Sequence, residues 1–276
     1  MNPATESFIE TPRGKFRALS WGDGAETVLF LHGLSGVAEV WIPTVSNLPD
    51  PRRYVAIDQR GHGQTTCIGN DYSAAAMVAD TEAVIAGLGV RPHLVGHSMG
   101  ARIAMLLAAR RPETIRSAVI VDIGPDKWQE NIESTRRGVE SRPEKFASAD
   151  DLFAFAFRNR TPTDLDKQIL LARMEPHRDG TLTWRASQEA LIACVTAQRS
   201  RNYWADWRRI SMPALFIHGG ASNEVPLRIA EKMRAANPGV GFERFEGVGH
   251  NIPLIAPDRL AMSLERHWQS AKGARA

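Results

Sequence analysis

Cysteine is scarce in this chain. Cys67 and Cys194 are the only two, they lie far apart, and they form no CxxC pair. That excludes a disulfide scaffold and the common zinc and redox motifs, and it predicts two unpaired thiols in a reducing cytoplasm. Long hydrophobic runs are missing too. No stretch approaches the ~20 apolar residues of a membrane span, and the opening "MNPATESFIETPRGK" lacks an apolar core of signal-peptide length. Charge of one sign is also in short supply: 34 Lys and Arg against 31 Asp and Glu leave +3, spread along the chain. Nucleic-acid binding requires a concentrated basic stripe, and none is seen. These absences predict a cytoplasmic protein with no membrane and no nucleic-acid partner.

What is present is a rhythm. Short apolar runs recur at "TVLFLHG", "YVAIDQR", "HLVGHS", "SAVIVDIG" and "ALFIHGG". Strands that are apolar throughout suit a sheet covered on both faces. Helical patterns such as "SAAAMVADTEAVIAGLG" and "MGARIAMLLAARRP" alternate with them, which predicts an α/β fold with parallel crossovers. "FIETPRGKFRALSWG" reads instead as an antiparallel hairpin at the sheet edge. From about Asp126 to Arg209 the rhythm stops. Helical patterns follow one another, punctuated by Pro143, Pro162 and Pro176, and no strand-like run appears. The predicted organisation is a core over 1–125 and 210–276, with a helical insertion over 126–209.

Gly96-His97-Ser98-Met99-Gly100 fits GxSxG and lies between a predicted strand and a predicted helix. A nucleophile elbow demands that context. Small residues two positions either side let strand and helix approach. The Ser98 hydroxyl would then stand near the positive end of the helix starting at Met99, which favours the charge that develops in attack. His250, in "FEGVGHNIP" after the last predicted strand, is the candidate base. Serine needs one because its hydroxyl is a poor nucleophile at neutral pH.

"FLHGL", "DQRGHG", "GHSMG" and "GVGH", in this order, resemble the α/β-hydrolase superfamily over the whole chain apart from the insertion. The resemblance implies a mostly parallel eight-stranded sheet with helices on both faces, and a helical cap at 126–209. It implies an oxyanion hole made by the backbone N–H groups of Leu34 and Met99. Asp58 and Arg60, in "DQRGHG", are read as braces for their loop. Serine as nucleophile argues against the dehalogenases and epoxide hydrolases of this fold, which use aspartate there.

The acid is the unusual member. In the superfamily it usually stands four residues after the histidine of "HG", where this chain has Ser222 in "HGGASNEVP". A serine could accept a hydrogen bond but cannot stabilise an imidazolium by charge. Asp122, at the end of "SAVIVDIG", and Glu224, in the Ser222 loop, are the two candidates. Parallel strands present their C-terminal ends on one edge, and Ser98, Asp122 and His250 all lie at such ends. The chain is also similar to the 2-(acetamidomethylene)succinate hydrolases of bacterial vitamin B6 degradation. The likeness lies in "DQRGHG", in Ser98-Gly100-Ala101-Arg102, in Arg116-Ser117, Val119, Asp122 and Pro125, and in Ser222. In them the acid corresponds to Asp122.

The resemblance implies cleavage of a small-molecule ester, lactone or amide through an acyl-enzyme; that chemistry requires no metal or organic cofactor, and a monomer or homodimer is expected. C–C bond hydrolysis, cofactor-free oxygenation and a non-catalytic receptor are rival uses of the same fold. Arg137, Arg158 and Arg160 are candidate contacts for an acidic substrate, because arginine pairs bidentately with carboxylates. Trp204 is a candidate substrate contact. The other insertion aromatics, Trp128, Phe153, Phe155, Phe157, Trp184 and Trp207, read as packing residues at helical spacing.

Overall fold

A computed structural model describes residues 3–49, 52–127 and 129–273. Its strands are β1 (Thr5–Thr11), β2 (Gly14–Trp21), β3 (Glu26–Leu31), β4 (Arg52–Ile57), β5 (Thr66–Cys67), β6 (His93–His97), β7 (Ser117–Val121), β8 (Lys145–Phe146), β9 (Met174–Pro176), β10 (Leu182–Trp184), β11 (Ala214–Gly219) and β12 (Gly241–Phe245). The central sheet runs β1-β2-β4-β3-β6-β7-β11-β12, an eight-strand path, and β5 adds a short ninth strand beside β2. Strands β1 and β2 form the expected antiparallel hairpin, and β2 also pairs antiparallel with β4. From β4 onward every neighbour is parallel. Such a sheet gathers its C-terminal strand ends on one rim.

The continuous apolar runs cover two faces. In β7, Ala118 and Ile120 join one hydrophobic cluster, while Val119 and Val121 join the other. Helix α1 (Ile42–Ser46) packs on the second face. Helices α2 (Ala74–Leu88) and α3 (Met99–Arg110) cover the first. Helix α2 starts where the Ser73 hydroxyl accepts the Ala76 N–H at 3.1 Å, and it stops at Gly89, whose φ of +67° an L side chain would resist.

The insertion carries α4 (Gln129–Glu140), α5 (Ala149–Ala156), α6 (Asp164–Ala172), α7 (Gln188–Arg199) and α8 (Trp204–Arg209). It is not wholly helical. Strands β8, β10 and β9 form a small antiparallel sheet, contrary to the sequence expectation. Each is two or three residues long, too short for an alternating pattern to register. Phe153, Phe155, Phe157 and Trp184 pack on a separate cluster built from Phe146, Leu152, Leu170, Met174 and Leu182. Trp207 belongs to the main cluster beneath α3, and Trp128 lies outside the described residues. After the insertion, α9 (Leu227–Ala236) joins the first face, and α10 (Ile252–Ile255) and α11 (Pro257–Gly273) complete the second. No helix among the described residues is long and apolar enough to cross a membrane.

A buried ionic knot ties the antiparallel edge to the parallel core. Arg17 on β2 bonds Glu39 at 2.7 Å, Glu6 at 2.8 Å and Asp58 at 3.2 Å. Asp58, fully buried, also accepts the Ala38 N–H at 2.8 Å and the Gln64 N–H at 3.0 Å. Arg60 forms a bidentate pair with Asp80 at 2.6 and 2.8 Å. Asp58 and Arg60 thus brace the turns after β3 and β4. Asp58→Ala removes one of three carboxylates from Arg17 and strands two backbone donors, and we expect it to cost about 2–4 kcal/mol in urea unfolding. A loss below about 1 kcal/mol would show that the knot is dispensable.

Candidate active site

Ser98 follows β6 at φ +52° and ψ −113°. Positive φ in a non-glycine residue costs on the order of 1–3 kcal/mol and persists only where the surroundings fix it. Here they do. The Ser98 N–H donates to Val121 O at 2.9 Å, and the Gly100 N–H to His32 O at 3.1 Å. A Cβ on Gly96 would lie 2.2 Å from the Gly100 carbonyl oxygen, and one on Gly100 would lie 2.3 Å from that of Leu31. Only glycine permits this contact of strand and helix.

His250 reaches back over the rim from the loop after β12. Its Nε2 lies 3.0 Å from Ser98 Oγ, and its Nδ1 lies 2.7 Å from Asp122 Oδ2. The His97 Nε2–H donates to the His250 carbonyl at 2.8 Å and holds that loop down. Burial, reinforced by the His250 ring, pushes His97 down to about 3, so it stays neutral.

Asp122 follows β7, next to β6 in the sheet, at φ +53° and fully buried. Its Oδ1 accepts the Gly219 N–H at 2.9 Å, and its Oδ2 accepts the Ser222 hydroxyl at 2.5 Å beside the imidazole. Ser222 therefore does the reverse of what its sequence position suggested. It donates to Asp122 and accepts the Glu224 N–H at 3.1 Å. Glu224 faces elsewhere. Asn131 donates to its Oε1 at 3.1 Å and Arg199 to its Oε2 at 2.8 Å. Burial opposes its ionisation, yet Arg199 and His250 hold it below the usual carboxylate range.

The Leu34 loop rests on two more histidines. The His32 Nδ1–H donates to Gly33 O at 2.7 Å, while its Nε2 accepts the Gln59 N–H at 3.0 Å. The His62 Nδ1–H donates to Arg60 O at 2.9 Å, while its Nε2 accepts the Ser35 N–H at 3.1 Å. Each role fixes a neutral tautomer. Burial pushes His32 down to about 4 and His62 to about 3. Met99 opens α3, so its N–H is among the first four that have no intrahelical acceptor.

Residues 26–257 match the model of the alpha/beta hydrolase fold. The chain belongs to the α/β-hydrolase family. A 2-(acetamidomethylene)succinate hydrolase of Mesorhizobium japonicum is 28% identical over 84% of this chain and 84% of its own. An esterase of Mycobacterium tuberculosis is 28% identical over 90% of this chain and 84% of its own. The crystal structure of an E-2-(acetamidomethylene)succinate hydrolase superposes with a TM-score of 0.88, at 24% identity, over 96% of this chain and 99% of that one.

In this α/β-hydrolase, Leu34 and Met99 line a small, tight hollow with Ser98, Arg102, Ile123, Cys194, Val195, Gln198 and Arg199. The arginines expected as substrate contacts do not reach it. Arg137 is exposed on α4. Arg158 is exposed and lies over the Phe155 ring at 4.6 Å, and Arg160 is held bidentately by Asp166 at 2.6 Å. Trp204 is packed in the main cluster, with its indole N–H on Asp126 at 2.8 Å. Sequence reasoning gave Arg199 no notice and named Arg102 only within a shared motif, with no role in the site. Arg102 stands one helical turn after Ser98, on the same helix face, and that spacing was a usable signal. Arg199 and Gln198 end α7, and only the docking of the insertion brings them here.

The buried neutral histidines set an acid limit. Below about pH 6.5 the unfolded chain protonates His32, His62 and His97, and the folded chain does not until about pH 3–4. Stability is therefore full above pH 6.5 and falls as pH drops, by up to about 1.4 kcal/mol per pH unit for each histidine. The thermal midpoint should drop steeply between pH 6.5 and 5, and a flat profile would contradict this account.

Proposed function

We propose that the chain is a serine hydrolase that cleaves a small ester, lactone or amide through an acyl-enzyme. The hydrogen-bonded line Ser98–His250–Asp122 carries this reading. Ser98 Oγ attacks the carbonyl carbon while His250 Nε2 takes its proton. The developing oxyanion sits against the N–H groups of Leu34 and Met99, each worth about 3 kcal/mol of transition-state stabilisation. His250 then protonates the leaving group as the tetrahedral intermediate collapses. Water, deprotonated by the same nitrogen, releases the acyl group and restores Ser98. Asp122 stays ionised and holds the imidazole with Nε2 toward the serine. The segment 126–209 serves as the cap, and its α7 supplies one wall of the pocket.

An acidic substrate fits this reading. One relative acts, by its name, on a succinate derivative, and the pocket wall includes Arg102 and Arg199.

A fluorophosphonate probe should label wild-type protein and not S98A. Asp122→Asn should lower kcat on a p-nitrophenyl ester by about 10⁴-fold, and Glu224→Gln by less than about tenfold, since its partners are Arg199 and Asn131. No labelling and no turnover would mean a receptor built on a hydrolase fold. Collapse of E224Q alone would move the acid to Glu224.

A further inference from the structure

Arg102 is a buried cation on α3 that the chemistry above does not use. Its residue is 2% exposed. One guanidinium nitrogen, Nη2, donates to Gly124 O at 3.0 Å, and the group lies over the Tyr203 ring at 4.7 Å. The other, Nη1, is buried with no hydrogen-bond partner. No ion pair forms at Arg102 among the described residues. Of the two carboxylates on that side, Glu224 is held by Arg199 and Asn131, while Asp126 takes the Trp204 indole on Oδ1 and leaves Oδ2 without a partner, and neither hydrogen-bonds Arg102. Burial pushes Arg102 down to about 10, so it remains a cation at neutral pH. A buried cation with an unused donor is costly unless an anion completes it.

The location says which anion. Arg102 lines the hollow that holds Ser98. It also lines a wider one, whose charged wall sets Lys127, Arg199, Arg228 and Lys232 against the carboxylates Asp126 and Glu224. The wider hollow is therefore a net-positive approach to a small pocket, with Arg102 at the junction. One helical turn, about 5–6 Å, separates Ser98 from Arg102 along α3.

We infer that Arg102 is the specificity-determining residue for an anionic substrate, receiving a carboxylate on Nη1 a few bonds from the carbonyl that Ser98 attacks. This rests on the serine-hydrolase reading for its chemistry and names the substrate class: short esters, lactones or amides with a free carboxylate. The basic approach raises the local concentration of such substrates and makes capture dependent on salt.

The test compares two chromogenic esters of similar length, neutral p-nitrophenyl butyrate and anionic p-nitrophenyl hemisuccinate. Wild type should favour the anionic ester in kcat/KM, and added salt should erode that preference. Arg102→Gln should reduce the ratio by roughly ten- to a hundredfold, chiefly through KM, and Arg102→Lys should recover part of it. Binding is read separately by calorimetry with succinate and with inorganic phosphate on S98A, and on S98A combined with R102Q. Succinate binding that disappears with R102Q supports the assignment. Equal ratios in wild type and in folded R102Q, or phosphate binding without succinate binding, overturn it. If both esters and the fluorophosphonate fail while succinate still binds through Arg102, the hydrolase reading fails and the anion site stands.

Discussion

The carboxylate of Asp122 is the interaction on which the site depends. A bare charge at a fully buried strand tip would be costly. Donors from separate elements neutralise that cost: the Gly219 N–H at the end of β11, the Ser222 hydroxyl in the following loop, and the imidazole of His250 after β12. One side chain thus draws three segments of chain onto the rim beside Ser98. It adds to the direct ties between the β11 loop and the His250 loop, where Gly220 N–H donates to Phe245 O at 2.8 Å and Ala221 N–H to Val248 O at 2.9 Å.

The rest of the rim is held by neutral polar groups. His32, His62 and His97 each give a ring proton to a backbone carbonyl, and His32 and His62 each take a backbone N–H in return. Neutral imidazoles place donors and acceptors at fixed points without adding charge. The positive charge around Ser98 is then concentrated at Arg102, since Arg199 is paired with Glu224 at 2.8 Å. A well-satisfied frame and one unsatisfied guanidinium share a single small pocket.

How much was legible in the sequence follows from range. The strand–helix rhythm and GxSxG are local, because backbone sterics at Gly96 and Gly100 leave few alternatives. Asp122 was legible as a candidate because strand ends in a parallel sheet share a rim and through the resemblance, and the structure seats Asp122 rather than Glu224 against the His250 ring. Glu224 lies two residues from Ser222, yet it turns to α4 and α7. The insertion was poorly legible. Its strands are too short to show a period, and its exposed arginines look alike in sequence whether they meet solvent, an aspartate or a pocket. Arg102 was visible as part of a shared motif, but its burial was not, because inside a helix pattern a single cation reads as surface.

Moving the carboxylate to the tip of β7 changes what the β11 loop is free to do. Where that loop supplies the acid itself, its conformation is committed to the imidazole. Here it holds the acid with one hydroxyl, and the neighbouring Glu224 clasps Asn131 of α4 and Arg199 of α7. Nine residues, His218 to Pro226, thereby act as a latch between doorway and charge. Any shift of α7 pulls on the same short segment that steadies the anion.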